Sequence, residues 1–137
     1  MIMKVTSADL TAGNARAAVV YTGAQTPEVN RPGGVAVDNF NVFWSNKAVG
    51  TQVGSVVKGD EEPSTAKKHV LAKIAENANK VYGVCLSQNN VFYTDTQKFL
   101  FGVKKSGGAI ATVPSPTNMA GFVLGCISDG DPLVNRN

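Results

Sequence analysis

One stretch of this chain occurs twice. Gly34-Val-Ala-Val-Asp-Asn-Phe-Asn-Val-Phe-Trp-Ser-Asn46 returns, 49 residues later and without a gap, as Gly83-Val-Cys-Leu-Ser-Gln-Asn-Asn-Val-Phe-Tyr-Thr-Asp95. Val35 matches Val84, Val42 matches Val91, Phe43 matches Phe92 and Trp44 matches Tyr93. Each copy is a short apolar run, a polar turn, and a β-branched and aromatic run, which is the pattern of a β-hairpin. A unit repeated at such a period does not bury both of its faces alone. It must stack on its neighbours to build a continuous core.

The rest of the chain falls into the same plan. Residues 1–6 and 15–22 read as strands, with turn chemistry at Ser7-Ala-Asp9 and Ala12-Gly-Asn14 between them. Gly23 to Pro32 is loop. Strands are expected at 33–38, 42–46, 53–58 and 67–74, with an exposed turn at Glu61 to Ala66. Helix competes over Thr65 to Ala78, where Ala, Lys, Leu and Glu favour it; strand is preferred there because of its place in the repeat. The second unit repeats the order at 82–87, 91–95, 99–104 and 109–113. A third begins at Phe122-Val-Leu-Gly-Cys-Ile-Ser128, turns at Asp129-Gly-Asp131 and stops after Leu133-Val134. Ile2 to Asp9 resembles Ser55 to Asp60 and Gly102 to Gly107, so the chain opens on the third and fourth strands of a unit. The expected divisions are 1–30, two strands of a first unit; 31–79 and 80–118, two whole units; and 119–137, the first strands of another.

Four antiparallel strands recurring every ~40–50 residues are the mark of a β-propeller blade. Pro32-Gly-Gly-Val-Ala-Val-Asp38 with Val42-Phe-Trp-Ser-Asn46, and Val91-Phe-Tyr-Thr-Asp95, resemble the blades of six-bladed propellers. The resemblance is to the NHL, TolB-like and low-density-lipoprotein-receptor YWTD groups. It departs at Leu133-Val-Asn-Arg136, where the aromatic is missing. The fold class expected is therefore all-β, a partial or half propeller of three blades' worth. Three blades leave two open edges, and open edges template aggregation. Either the chain is a segment of a longer propeller or a piece of an assembly, or two copies close one ring as a homodimer.

Composition narrows the partners. With 43% hydrophobic and 17% charged residues and a mean hydropathy of -0.04, the chain is globular rather than disordered. A net charge of +3, from scattered lysines and three arginines, is a weak case for nucleic acid. No apolar run is long enough for a membrane helix.

No residue set reads as a catalytic centre. Trp44 and Tyr93 are expected to cover the flat face of a neighbouring sheet, with a stacking platform for a sugar or peptide as the functional alternative. Asp38 and Asp95 are expected to accept backbone N–H bonds at turns. Cys85 and Cys126 read as buried free thiols, a disulfide requiring Cα atoms within about 7 Å. His69 stands alone on an outer strand, and two cysteines with one distant histidine do not make a metal site. No cofactor is expected. The function expected is a non-catalytic binding or scaffold module that uses the loops before first strands and after second strands. Asn30, Arg31, Lys47, Lys80, Gln97 and Asn118 occupy those loops, a mildly basic, amide-rich rim. The alternatives are a metal-dependent lactonase, hydrolase or lyase, which the propeller resemblance implies, and a structural subunit of a larger complex.

Overall fold

The computed structural model describes residues 1–13, 15–63, 71–97 and 99–113. It is an antiparallel β structure with one short helix. β1 (Ile2–Lys4) pairs with β2 (Ala18–Tyr21) in a two-stranded sheet. Between them lies α1 (Ser7–Thr11), where the sequence suggested only a turn. Thr6 caps it, its Oγ1 accepting the backbone N–H of Asp9 at 3.1 Å.

A four-stranded meander follows: β3 (Pro32–Val37), β4 (Asn41–Asn46), β5 (Gly54–Asp60) and β6 (Ala72–Ala78), each hydrogen-bonded to the next. A second meander repeats the order with β7 (Val84–Leu86), β8 (Asn90–Thr94), β9 (Leu100–Lys104) and β10 (Ala111–Val113). We call the three sheets first, second and third in chain order. The hairpins sit where the repeat places them. Val35 faces Trp44 across the second sheet as Val84 faces Tyr93 across the third.

Three expectations need correction. The strand expected at 67–74 begins at Ala72 and runs to Ala78, pairing with β5. The sequence equivalence of the third strands also slips. Phe43 faces Lys58 and Phe92 faces Gly102, so Gly102 stands where Lys58 does, not where Ser55 does. The five-residue difference between the offsets, 49 before and 44 here, is a shorter loop ahead of β9. Cys85 is disulfide-bonded, not a free thiol. Cys126, the one other cysteine in the sequence, lies outside the described residues, as do His69, Asn118 and the hairpin expected at 122–134.

The core lies between sheets, because alternate residues of a strand face opposite ways. On β4, Val42 and Trp44, with Val57 of β5 beside them, point back to the first sheet, where they meet Ile2 and Tyr21. Phe43 points forward and joins Val56, Ala75, Val84, Val91 and Tyr93 against the third sheet. Trp44 and Tyr93 thus do the same work at successive interfaces, and at 0% and 2% exposure neither offers a ring to a ligand. The Trp44 ring lies 5.2 Å from that of Tyr21, and Tyr93 stacks on Phe101 at the same distance.

Close approach between the second and third sheets depends on glycine. A Cβ on Gly34 would stand 2.7 Å from the carbonyl oxygen of Tyr82; within the second sheet, one on Gly54 of β5 would stand 2.0 Å from that of Asn79, just past β6. Ser45 Oγ ties the same interface, donating to Tyr82 O at 2.8 Å and accepting Gly34 N–H at 2.7 Å. At the turn end of the sheets Lys105 reaches across to Asp38 at 3.0 Å. Asp38 also accepts the N–H groups of Phe40 and Asn41, the turn role expected of it. Among the described residues no helix is long and apolar enough to cross a membrane.

Candidate functional site

The end of the sheets where first strands start and second strands finish is built twice to one design. In the second sheet, Asn46 Oδ1 accepts the N–H of Asn30 at 3.1 Å. In the third, Asp95 Oδ2 accepts the N–H of Asn79 at 3.2 Å. Both pairs span sixteen residues, and both members shift by 49. The buried side chain after the second strand therefore pins the loop that leads into the first. Asn46 adds two donated bonds, to Glu28 O at 2.8 Å and to Ser55 Oγ at 2.9 Å. Asp95 instead accepts the N–H of Gln97 at 2.8 Å.

These clips carry the exposed rim. Arg31 and Lys80 follow the two pinned asparagines directly and are themselves 49 residues apart. Each stands exposed just ahead of a first strand. Arg31 takes a left-handed backbone, φ +53°, and its carbonyl accepts the N–H of Lys47 at 3.0 Å. Lys47 lies 5.5 Å from the centre of the Tyr82 ring, and the N–H of Val81 reaches Asn46 O at 3.3 Å. The structure thus gathers Asn30, Arg31, Lys47, Lys80 and Gln97 at one end of the second and third sheets; Asn118 lies outside the described residues. Among the described residues Lys4, Lys73 and Lys105 are each paired with a carboxylate. Arg31, Lys47 and Lys80 are not.

Beside the rim is a cleft of about 190 Å³ between the two four-stranded sheets. It is lined by the amides of Gln52, Asn77, Asn79 and Gln97, the carboxylates of Glu76 and Asp95, and the half-buried Phe101, with the buried Tyr93 behind. Burial, with the Asp95 carboxylate adding to it, pushes the Tyr93 hydroxyl up to about 12, so the ring stays neutral throughout the physiological range. Gln52 and Asn77 both hold left-handed backbones, φ +55° and +58°. Of the residues expected at the rim Gln97 lies here, while Glu76 and Asn77 were not among those singled out in the sequence. Asn77 alone carried a signal, since asparagine tolerates positive φ better than most residues. Among the described residues no three His, Cys, Asp or Glu side chains come together as a metal site.

No protein-family model matches the chain, and no curated protein or solved structure is significantly similar to it. The rim presents amide donors and, among the described residues, cations without carboxylate partners, on loops held by buried hydrogen bonds.

Proposed function

We propose that this chain is a non-catalytic binding or scaffold module, built from propeller-type blades of the NHL and YWTD kind, whose rim contacts an acidic partner. One observation carries the reading. Arg31 and Lys80 occupy the same position of successive units, and with Lys47 they are cations without a carboxylate partner among the described residues. An unpaired, repeated positive charge on a rigid edge attracts and orients an anionic surface. Asn30 and Gln97 beside them add amide donors and acceptors. The side-by-side sheets, with an aromatic of each packing on the sheet before it, support the blade reading.

The test is fluorescence anisotropy of a labelled Glu-rich peptide. Binding should weaken as salt rises, because these charges are exposed and screened. R31E/K80E should weaken it tenfold or more. K104E, which reverses an exposed charge at the far end of β9, should change it little. Equal loss in K104E, or no binding at low salt, overturns the reading.

A further inference from the structure

The segment ahead of the first strand is anchored differently in the two units. In the earlier copy it is Glu28-Val-Asn30. The Glu28 carbonyl accepts the Trp44 indole N–H at 3.1 Å and the Asn46 amide at 2.8 Å, and Val29 is buried in the cluster that holds Trp44. At the offset of 49 the segment becomes Asn77-Ala-Asn79, and Trp44 and Asn46 become Tyr93 and Asp95. Neither closing donor survives. Tyr93 has no ring N–H, and an ionised Asp95 only accepts. The packed valine is also cut back to Ala78. The clip from Asn79 N–H to Asp95 remains, and the cleft of about 190 Å³ lies at this place.

The backbone then brings polar side chains to the cleft. Ala75 faces Val56 and Ala78 faces Gly54, so Glu76 and Asn77 together stand opposite Ser55 alone. That is a β-bulge, a device that re-aims a side chain. Asn77 takes φ +58° in it, and Gln52, on the loop ahead of β5, takes φ +55°. Among the described residues three that are not glycine hold left-handed backbone, and two of them line this cleft. Such backbone is costly, and it gathers at ligand sites.

Among the described residues the side-chain amides of Gln52, Asn77 and Gln97 make no hydrogen bond. Each offers both a donor and an acceptor. Asp95 Oδ1 accepts the N–H of Gln97 at 2.8 Å and has a second lone pair to offer. Phe101 is half-buried and Ile110 is exposed, which gives the cleft an apolar wall. No lysine or arginine lines it among the described residues, so it does not suit an anion. Its carboxylates are already engaged, Glu76 by Lys73 at 3.6 Å and Asp95 by backbone N–H groups, so it is not built around a cation either. Mixed donors and acceptors beside an apolar wall suit a neutral ring with hydroxyls at its edge and C–H groups on its face. The volume is below the ~300 Å³ at which pockets for drug-sized ligands begin, which is room for one such ring.

We propose that this cleft binds one neutral hexose ring, whose hydroxyls bond to Gln52, Asn77, Gln97 and Asp95 while its C–H face lies on Phe101. The ring is a free sugar or the end residue of a glycan, two sources with one chemistry. The site is separate from the rim cations and does not depend on the acidic partner.

The experiment is ligand-observed NMR titration of the full chain with glucose, galactose and mannose and with the methyl β-glycoside of each. At least one of the six should bind with a Kd of about 1 mM or tighter. A methyl glycoside that binds as well as its parent sugar identifies the end of a glycan; loss on methylation identifies a free sugar. N77G removes an amide while glycine adopts φ +58° freely, and Q97A trims an exposed side chain whose backbone N–H stays on Asp95. Each should keep the thermal midpoint of the wild type and weaken binding about fivefold, the worth of one hydrogen bond. R31E/K80E and K104E should bind the sugar as the wild type does, so failure of the rim reading and failure of this one are separable. Absence of binding by all six at about 10 mM overturns the proposal. So does full affinity in both N77G and Q97A, or glucosamine binding about tenfold tighter than glucose, which would make charge rather than hydroxyls the recognised feature.

Discussion

Asn46 and Asp95 hold one position of the repeat, yet they should not be exchangeable. Asn46 is 1% exposed and uses both ends of its amide. It accepts from Asn30 N–H and donates to Glu28 O and Ser55 Oγ. At a net worth of about 1 kcal/mol for each bond, Asn46→Ala should cost about 3 kcal/mol. Asn46→Asp should cost more at neutral pH. It keeps the acceptor for Asn30 but sets a carboxylate oxygen against the Glu28 carbonyl, where a donor now stands 2.8 Å away. Adding the burial of an unpaired charge brings the loss to about 4 kcal/mol. Protonation turns that oxygen back into a donor, so the variant's carboxyl should titrate above its ordinary value in the folded state.

The pH dependence then has a definite sign. The folded variant binds more protons than the unfolded one, so its stability falls as pH rises and recovers as pH is lowered from 7 to about 5. Asp95→Asn fails for the opposite reason. Asp95 accepts N–H groups at both oxygens, from Gln97 and Asn79, and an amide would point a donor at one of them, costing about 1–3 kcal/mol. Urea unfolding measures all three variants. The readout is Trp44, the chain's one tryptophan, which is fully buried and donates to the same Glu28 carbonyl at 3.1 Å. An Asn46→Asp protein within about 1 kcal/mol of wild type at pH 7 would refute the reasoning, as would one that loses stability on mild acidification.

Other perturbations should separate packing from charge. Gly54→Ala puts a methyl 2.0 Å from the Asn79 carbonyl and should cost about 3 kcal/mol in the same assay, whereas Gly107→Ala, at φ +83° with open space around it, should cost only about 1 kcal/mol of backbone strain. Burial raises the Asp38 carboxyl, but the N–H of Phe40, the Lys105 ammonium and the N–H of Asn41 together pull it lower, so its net shift is downward. Asp38 should therefore add stability above its unfolded value and lose it as pH falls through its folded one, and Lys105→Met should shrink that acid-side dependence, at a cost of about 1 kcal/mol at neutral pH. Burial and the nearby Asp95 hold the Tyr93 hydroxyl up to about 12, above the ordinary 10.0, so ultraviolet titration should find one late-ionising tyrosine, absent in Tyr93→Phe, and stability should decline as pH rises from 10.0 toward about 12. Peptide mapping without reductant should join Cys85 to Cys126, and reduction should lower stability by about 4 kcal/mol, the entropy of opening a loop of about 40 residues.

The repeat made the hairpins readable because Val42-Phe-Trp44 and Val91-Phe-Tyr93 alternate faces and are bounded by glycine and turn residues. It made β6 readable as a strand, against its local propensity, but not its bounds, which are Ala72–Ala78 rather than 67–74. Ala72-Lys-Ile-Ala-Glu-Asn-Ala78 has the composition of a helix and becomes a strand through its pairing with β5 and the burial of Ile74, Ala75 and Ala78. That decision is tertiary, and local propensity carries no record of it. The rim lies between these cases. Arg31 and Lys80 were visible as rim cations, but the clips that hold their loops join residues sixteen apart and need the fold to appear. Cys85 shows the same limit, since spacing in sequence says nothing about which Cα atoms lie within reach. The sharpest case is Val35. In sequence it is the equal of Val84, and both lie on the face that meets the preceding sheet. One is covered and the other bare because, among the described residues, the sheet before Val84 has four strands and the sheet before Val35 has two. A repeat thus specifies which face is built to meet a neighbour, while only the folded chain shows which copy of it, among the described residues, is covered.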